Sequence, residues 1–196
     1  MIEYIEGKLV EKTPTSAVIY CGGVAYMIWV SLNTYAQLPQ EGNNTRLYTH
    51  LQIKEDAHVL FGFANKTERQ MFRQLITISG VGALTAQMML SSMSVSELST
   101  CIVAGNAGAL QSIKGIGAKT AQRIVIELKD KLSKSDIVFE ENTVGSNNTI
   151  KIEAIAALTS LGFKKEAVEK VINKLLADTA EDMTVEELIK KGLKLL

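Results

Sequence analysis

Apolar and polar positions along the chain pass through successive regimes. Up to about residue 64, short runs rich in Ile, Val, Tyr and Phe cover Ile2 to Val10, Ser16 to Tyr20, Val24 to Val30, Asn44 to Leu51 and Val59 to Phe63. Turn formers separate them at Thr13-Pro14, Cys21-Gly22-Gly23 and Glu41-Gly42-Asn43-Asn44. Short strands at this spacing predict a five-stranded barrel of the OB type. From residue 65 the period becomes helical. Asn65-Lys66-Thr67-Glu68 predicts a capping-box-like helix start and Ser94-Val95-Ser96-Glu97 another, with a break at Ala104 to Gly108. Periodicity then fades from Ser133 to Thr149, where Asn142, Gly145, Ser146, Asn147 and Asn148 give linker composition. It returns in two apolar stripes, Ile152, Ile155, Ala156, Leu158 and Leu161, then Val168, Val171, Ile172 and Leu175, before a capping box at Thr184 to Glu187. The expected class is therefore α+β with several domains. A barrel spans 1–64, a helical domain 65–134, a flexible linker 135–149 and a three-helix domain 150–196.

Within the helical domain one stretch occurs twice. Leu75-Ile76-Thr77-Ile78-Ser79-Gly80-Val81-Gly82-Ala83-Leu84-Thr85-Ala86-Gln87 returns 35 residues later as Leu110-Gln111-Ser112-Ile113-Lys114-Gly115-Ile116-Gly117-Ala118-Lys119-Thr120-Ala121-Gln122. A fixed period implies one supersecondary unit used twice. Each copy reads as helix, Gly-Val/Ile-Gly turn, helix. Glycine lets the backbone take positive φ or come close to another surface, and the apolar residue between can plug the gap between the helices. The helix that follows begins with unpaired N–H groups at its positive dipole end, a phosphate site that reads no base. Two copies would grip two phosphate runs of a duplex. This is the pattern of a tandem helix-hairpin-helix, with Lys114, Lys119 and Arg123 on the second copy.

Charge changes the picture only when divided along the chain. The overall balance is zero, yet residues 1–63 carry −2, 64–134 carry +5 and 135–196 carry −3. The positive excess lies on the segment with the repeat, and phosphate binding follows local cations. Cys21 and Cys101 are far apart and lack a CxxC partner, which argues against a disulfide framework or a zinc site. His50 and His58 lack a third ligand at useful spacing, so no metal is expected. No signal peptide or membrane-length apolar run is visible, and a cytoplasmic location is expected.

Catalytic signatures do not emerge. Gly115-Ile116-Gly117-Ala118-Lys119-Thr120 superficially resembles a P-loop, but Ala118 stands where glycine must precede Lys, and no strand leads in. A helix-hairpin-helix DNA glycosylase needs a carboxylate beside the second hairpin; Glu127, Asp130 and Asp136 follow it without a nucleophile–base set. An interaction adaptor whose hairpins only pack helices is a further alternative. Lys54-Glu55-Asp56-Ala57 falls at a predicted hairpin tip. Paired acids there read as solvated turn residues or, more sharply, as a probe that repels phosphates.

The order of barrel, tandem hairpins, polar linker and three-helix tail resembles the bacterial RuvA family of Holliday-junction branch-migration proteins. Its most specific residues are Glu55-Asp56 before Phe61-Gly62-Phe63, Gly80-Val81-Gly82, and Gly115 to Ala121 running into Glu127-Leu128-Lys129-Asp130. The resemblance implies that Glu55 and Asp56 form an acidic pin at the centre of a homotetramer, with an octamer as the other assembly. It implies DNA contacts at Gly80, Val81, Gly82, Gly115, Ile116, Gly117, Ala118, Lys119, Thr120 and Arg123. It also implies that the protein is not itself catalytic and needs no cofactor. A RuvB-type hexameric ATPase that uses ATP and Mg would dock on the tail at Leu158, Leu161 and Phe163, and a RuvC-type endonuclease would join. One departure stands out. Family members can carry Pro-Lys after the first Gly-x-Gly, where this chain has Ala83-Leu84, so Lys66, Arg69 or Arg73 would have to supply the missing cation.

Overall fold

The computed structural model describes residues 2–134, 146–178 and 183–195. Five strands, β1 (Tyr4–Thr13), β2 (Ser16–Cys21), β3 (Val24–Val30), β4 (Asn44–Ile53) and β5 (His58–Phe63), close in the order β1-β2-β3-β5-β4. All pairings are antiparallel except β3 with β5. The register of β1 on β2 slips between Leu9 and Glu11. Such a bulge bends a strand, and β1 must turn from β2 toward β4 to close the barrel. Alternation does the rest, burying Ile5, Leu9, Ala17, Ile19, Ile28 and Leu47 inside. Every predicted strand is present, which identifies the alternating pattern as the determinant of this half.

A short helix that the pattern did not predict, α1 (Leu32–Gln37), links β3 to β4. It has too few residues for a periodic signal, and its start is marked only by Ser31, whose hydroxyl accepts the Thr34 N–H. Five helices follow: α2 (Lys66–Leu75), α3 (Ala83–Ser92), α4 (Val95–Val103), α5 (Ala107–Gln111) and α6 (Ala118–Lys134). Phe72 of α2 lies 4.9 Å from Phe63 and 5.2 Å from Phe61, ring centre to centre, so barrel and hairpins share one core. The expected boundary at residue 64 is therefore a change of secondary structure inside a continuous unit, Met1–Phe139.

α1 fastens that unit together. Asn33 donates from Nδ2 to the carbonyls of Leu90 (2.6 Å) and Met93 (3.0 Å), while Ser91 Oγ accepts the Leu32 N–H at 3.1 Å. Those carbonyls lie at the open C-terminal end of α3, which needs donors. The predicted box at Asn65 is only half present. Asn65 accepts the Glu68 N–H at 2.8 Å, but the Glu68 carboxylate turns inward and accepts from Ser31 and, at 2.6 Å, from Thr34. The box at Ser94 and Glu97 closes in both directions.

The second unit, Glu140–Leu196, holds α7 (Ser146–Ser160), α8 (Lys165–Asp178) and α9 (Val185–Leu195) around Ala154, Leu158, Val168, Ile172, Met183 and Leu188. The predicted linker lies outside the described residues as far as 145; α7 has begun by Ser146. No helix among the described residues is long and apolar enough to cross a membrane.

Candidate nucleic-acid interface

Both copies of the repeat fold with the same backbone. Ile78 N–H donates to the Leu75 carbonyl at 3.1 Å, and Ile113 N–H to Leu110 at 3.2 Å. Val81 N–H reaches Ile78 at 3.0 Å, and Ile116 N–H reaches Ile113 at 3.1 Å. The next helices open identically, with Ala86 donating to Gly82 and Ala121 to Gly117, each at 2.9 Å. Gly80 and Gly115 turn the chain at φ of 93° and 91°. An L side chain is strained there, so these two glycines serve the turn itself.

The second glycine of each pair has a different role. Gly82 has φ −83° and Gly117 is not in the positive-φ set. A Cβ added to either would meet nothing within 4 Å. Neither backbone geometry nor internal packing requires glycine at these positions. Its effect is to leave open the approach to the N–H groups that follow. Those groups are available: Gly82, Ala83, Leu84 and Thr85, and likewise Gly117, Ala118, Lys119 and Thr120, have no N–H acceptor among the described residues. Each loop thus presents a row of donors at a helix N-terminus, facing open space.

Val81 and Ile116 are buried in the shared core at 5% exposure each. Their side chains plug the hairpins from behind and their N–H groups are already donated to Ile78 and Ile113, so the donors open to an anion begin at the next residue. Lys114, Lys119 and Arg123 surround the second loop and are exposed. Between Ser79 and Ser92 the first loop and its helix contain no charged residue. The two loops also touch. Arg123 donates from Nη1 to the Ser79 carbonyl at 3.1 Å, and the Thr120 hydroxyl lies 3.5 Å from where a Gly80 Cβ would be.

The cations expected to assist the first hairpin are placed otherwise. Arg69 is buried, ion-paired to the Glu3 carboxylate, and donates to the Glu3 carbonyl at 2.8 Å. It fixes α2 to the barrel and is not available to an anion. Arg73 is half-buried against the Thr49 carbonyl, its pKa pulled down by burial and by Arg69. Lys66 is exposed and lies 5.8 Å above the Tyr48 ring. Of the three, Lys66 alone keeps its charge in the open.

Glu55 and Asp56 stand exposed at the tip between β4 and β5, above a turn closed by Lys54 N–H to the Ala57 carbonyl at 2.8 Å. Glu127, the nearest acid considered for glycosylase chemistry, faces Arg123 Nε at 3.9 Å on an open surface.

Residues 1–62 match the family model described as the RuvA N terminal domain, residues 72–130 a SAM-like helix-hairpin-helix tandem, and residues 152–196 the RuvA C-terminal domain. A protein of Christiangramia forsetii is 47% identical over 199 aligned residues that cover all of both chains. One from Flavobacterium psychrophilum is 48% identical over 99% of each chain, and one from Bacteroides thetaiotaomicron 43% over all of both. All three are named Holliday junction branch migration complex subunit RuvA. The chain belongs to the RuvA family.

Seen as a RuvA-family chain, its tail corrects one expectation. Leu158 is fully buried, and Gly192 is packed so tightly against it that an added Cβ would lie 2.9 Å from Leu158 Cδ1. It is a core residue and cannot dock a partner without unpacking its unit. Leu161 is 63% exposed just before the positive-φ turn at Gly162, and Phe163 is half-buried against the core. Thr85 was not among the expected contacts, although it occupies the position of Thr120 in the repeat. The register alone would have found it. Ser79 gave no such signal, because its role is a backbone carbonyl.

Proposed function

We propose that this RuvA-family chain is a non-catalytic DNA-binding subunit that recognises four-way junctions by structure and not by sequence. It holds the junction open and brings a RuvB-type hexameric ATPase to it, so that branch migration proceeds in homologous recombination and repair. The observation that carries the reading is the pair of identical loops, each with unpaired N–H groups behind a glycine that nothing inside the protein requires. Backbone donors and nearby lysines bind phosphate without reading bases, which suits a protein that must travel along any DNA.

On this reading the subunits assemble as a homotetramer, or as two tetramers face to face, with each hairpin pair on one arm in the bacterial cytoplasm. Glu55 and Asp56 act as the acidic pin, which repels phosphates at the crossover so that strands separate and re-pair there. Leu161 and the open edge of Phe163 engage the ATPase, which supplies ATP hydrolysis with Mg; a RuvC-type endonuclease shares the junction. The chain itself needs no cofactor.

Binding of a four-way junction and of linear duplex of matching sequence, each across a salt series, tests the reading. The expected result is strong junction preference with affinity falling steeply as salt rises. Equal and weak binding to both would leave an adaptor or a generic hairpin protein. Glu55→Gln with Asp56→Asn should raise duplex affinity and lower junction preference, and unchanged affinities for both would remove the pin.

A further inference from the structure

The two hairpins share a backbone but not their supports, and this asymmetry gives Arg123 a second identity. The first hairpin has no charge from Ser79 to Ser92. Its hold on a phosphate depends on N–H donors alone, and such bonds weaken steeply when misaligned. Its orientation is therefore critical. The loop is held from the second hairpin: Arg123 donates to the Ser79 carbonyl at 3.1 Å, and Thr120 packs beside Gly80 at 3.5 Å from its would-be Cβ. Glu127, one turn on, lies 3.9 Å from Arg123 Nε, a second partner for the guanidinium. A planar fork with several donors can serve both partners, which a single ammonium does less well.

The repeat shows that the strut runs one way. In the 35-residue register the counterpart of Arg123 is Met88 and that of Ser79 is Lys114. Met88 has no hydrogen to donate to the Lys114 carbonyl, so among the described residues this hydrogen bond has no reciprocal from the first hairpin to the second.

We infer that Arg123 is a positioning residue, which fixes the first hairpin's amide cluster at a set distance and angle from the second through the Ser79 carbonyl. The inference rests on the junction-binding reading above. A plain phosphate ligand of the second hairpin would act differently, and coupling between sites separates the two. The full-length protein is assayed for four-way-junction affinity as Arg123→Ala, alone and combined with Gly82→Ala or Gly117→Ala. Arg123→Ala alone should weaken binding on the order of tenfold, the loss of about one charge-assisted hydrogen bond. Most of that loss should vanish when Gly82→Ala has already disabled the first hairpin, and it should persist in the Gly117→Ala background. The reverse pattern, or full additivity with both, overturns the inference.

Amide hydrogen exchange of the DNA-free protein gives a second reading. Arg123→Ala should speed exchange around Ser79 to Val81 and leave Gly115 and Ile116 unchanged; no change at the first loop overturns the strut. Glycine variants that bind junctions as well as the parent would instead defeat the DNA-binding reading, while the exchange result would still report whether the strut exists.

Discussion

The first and second hairpins are the same object in backbone terms and different objects in chemical terms. Their turn glycines agree within 2° in φ, 93° against 91°, and the hydrogen bonds made by Ile78, Val81 and Ala86 recur at Ile113, Ile116 and Ala121. Yet the second is ringed by Lys114, Lys119 and Arg123, and the first shows only Ser79, Leu84 and Met88 at the corresponding positions, with Leu84 67% exposed. The comparison teaches that the fold needs the Gly-x-Gly frame, whereas cations are an addition that one copy lacks. Under the proposed function, phosphate binding separates into a directional part, offered twice, and an electrostatic part, offered once. That reading assigns steering over distance and the salt dependence to the second hairpin and geometry to the first.

The largest effects should come from blocking one donor row at a time. Gly117→Ala and Gly82→Ala each place a methyl in the open approach without straining the backbone, since neither glycine has positive φ and no neighbour lies within 4 Å. Stability should stay within about 0.5 kcal/mol of the parent, as for surface changes that touch nothing. Junction affinity should fall on the order of 10- to 100-fold, from the loss of one or two hydrogen bonds to a charged group. Gly117→Ala should cost more, because it also moves the phosphate away from Lys119. Chemical denaturation beside a junction titration checks both halves, and a stability loss that matches the affinity loss would turn these into structural glycines.

A smaller effect should appear in the salt dependence. Lys119→Ala removes one exposed charge beside the second loop and should lower the slope of log affinity against log salt by about 1 per engaged subunit. Leu84→Lys writes the missing cation into the first hairpin at the equivalent position and should raise that slope by a similar amount. If Leu84→Lys leaves the slope alone while Lys119→Ala reduces it, the first loop does not meet phosphate at all. The two substitutions together move one cation from the second hairpin to the first while the frame stays fixed.

Much of this was legible in the chain, and for a definite reason. Strands and helices of ordinary length repeat their period enough times to be read, and a motif that occurs twice carries its own control. The barrel, the doubled hairpin and the hairpin tip at Glu55-Asp56 all belong to that kind. What was not legible depends on which way a side chain turns after the fold has closed. Arg69 looked like a free cation on a helix and is buried against Glu3 and Tyr48. Leu158 and Leu161 lie on one apolar stripe, yet the first is core and the second is open. Arg123 reads in the sequence as a cation of the second hairpin, and its bond to the Ser79 carbonyl 3.1 Å away is one that no side-chain pattern can announce.

The smallest expected effect concerns how the first hairpin is mounted. Its leading helix α2 carries Glu68, 2% exposed, accepting hydrogen bonds from Ser31 and Thr34 at the start of α1. Burial raises the pKa of this carboxyl above its ordinary 4.5, although those two hydrogen bonds favour the ionised form. The second hairpin has no counterpart to this group. A carboxyl with a raised folded pKa binds its proton more tightly in the native state than in the unfolded chain. Stability is thus fullest below the unfolded value, near pH 4.5, and declines as pH climbs through the folded value, where the buried group must ionise. Glu68→Gln keeps an acceptor for Ser31 and removes the titration, with a change at neutral pH within about 1 kcal/mol. Urea unfolding of both proteins at a series of pH values should show the parent losing stability relative to Glu68→Gln as pH rises from 4 toward neutrality. Parallel curves would mean that the carboxylate is as well solvated by its hydroxyl partners as by water. The barrel and the first hairpin would then be joined without an electrostatic cost.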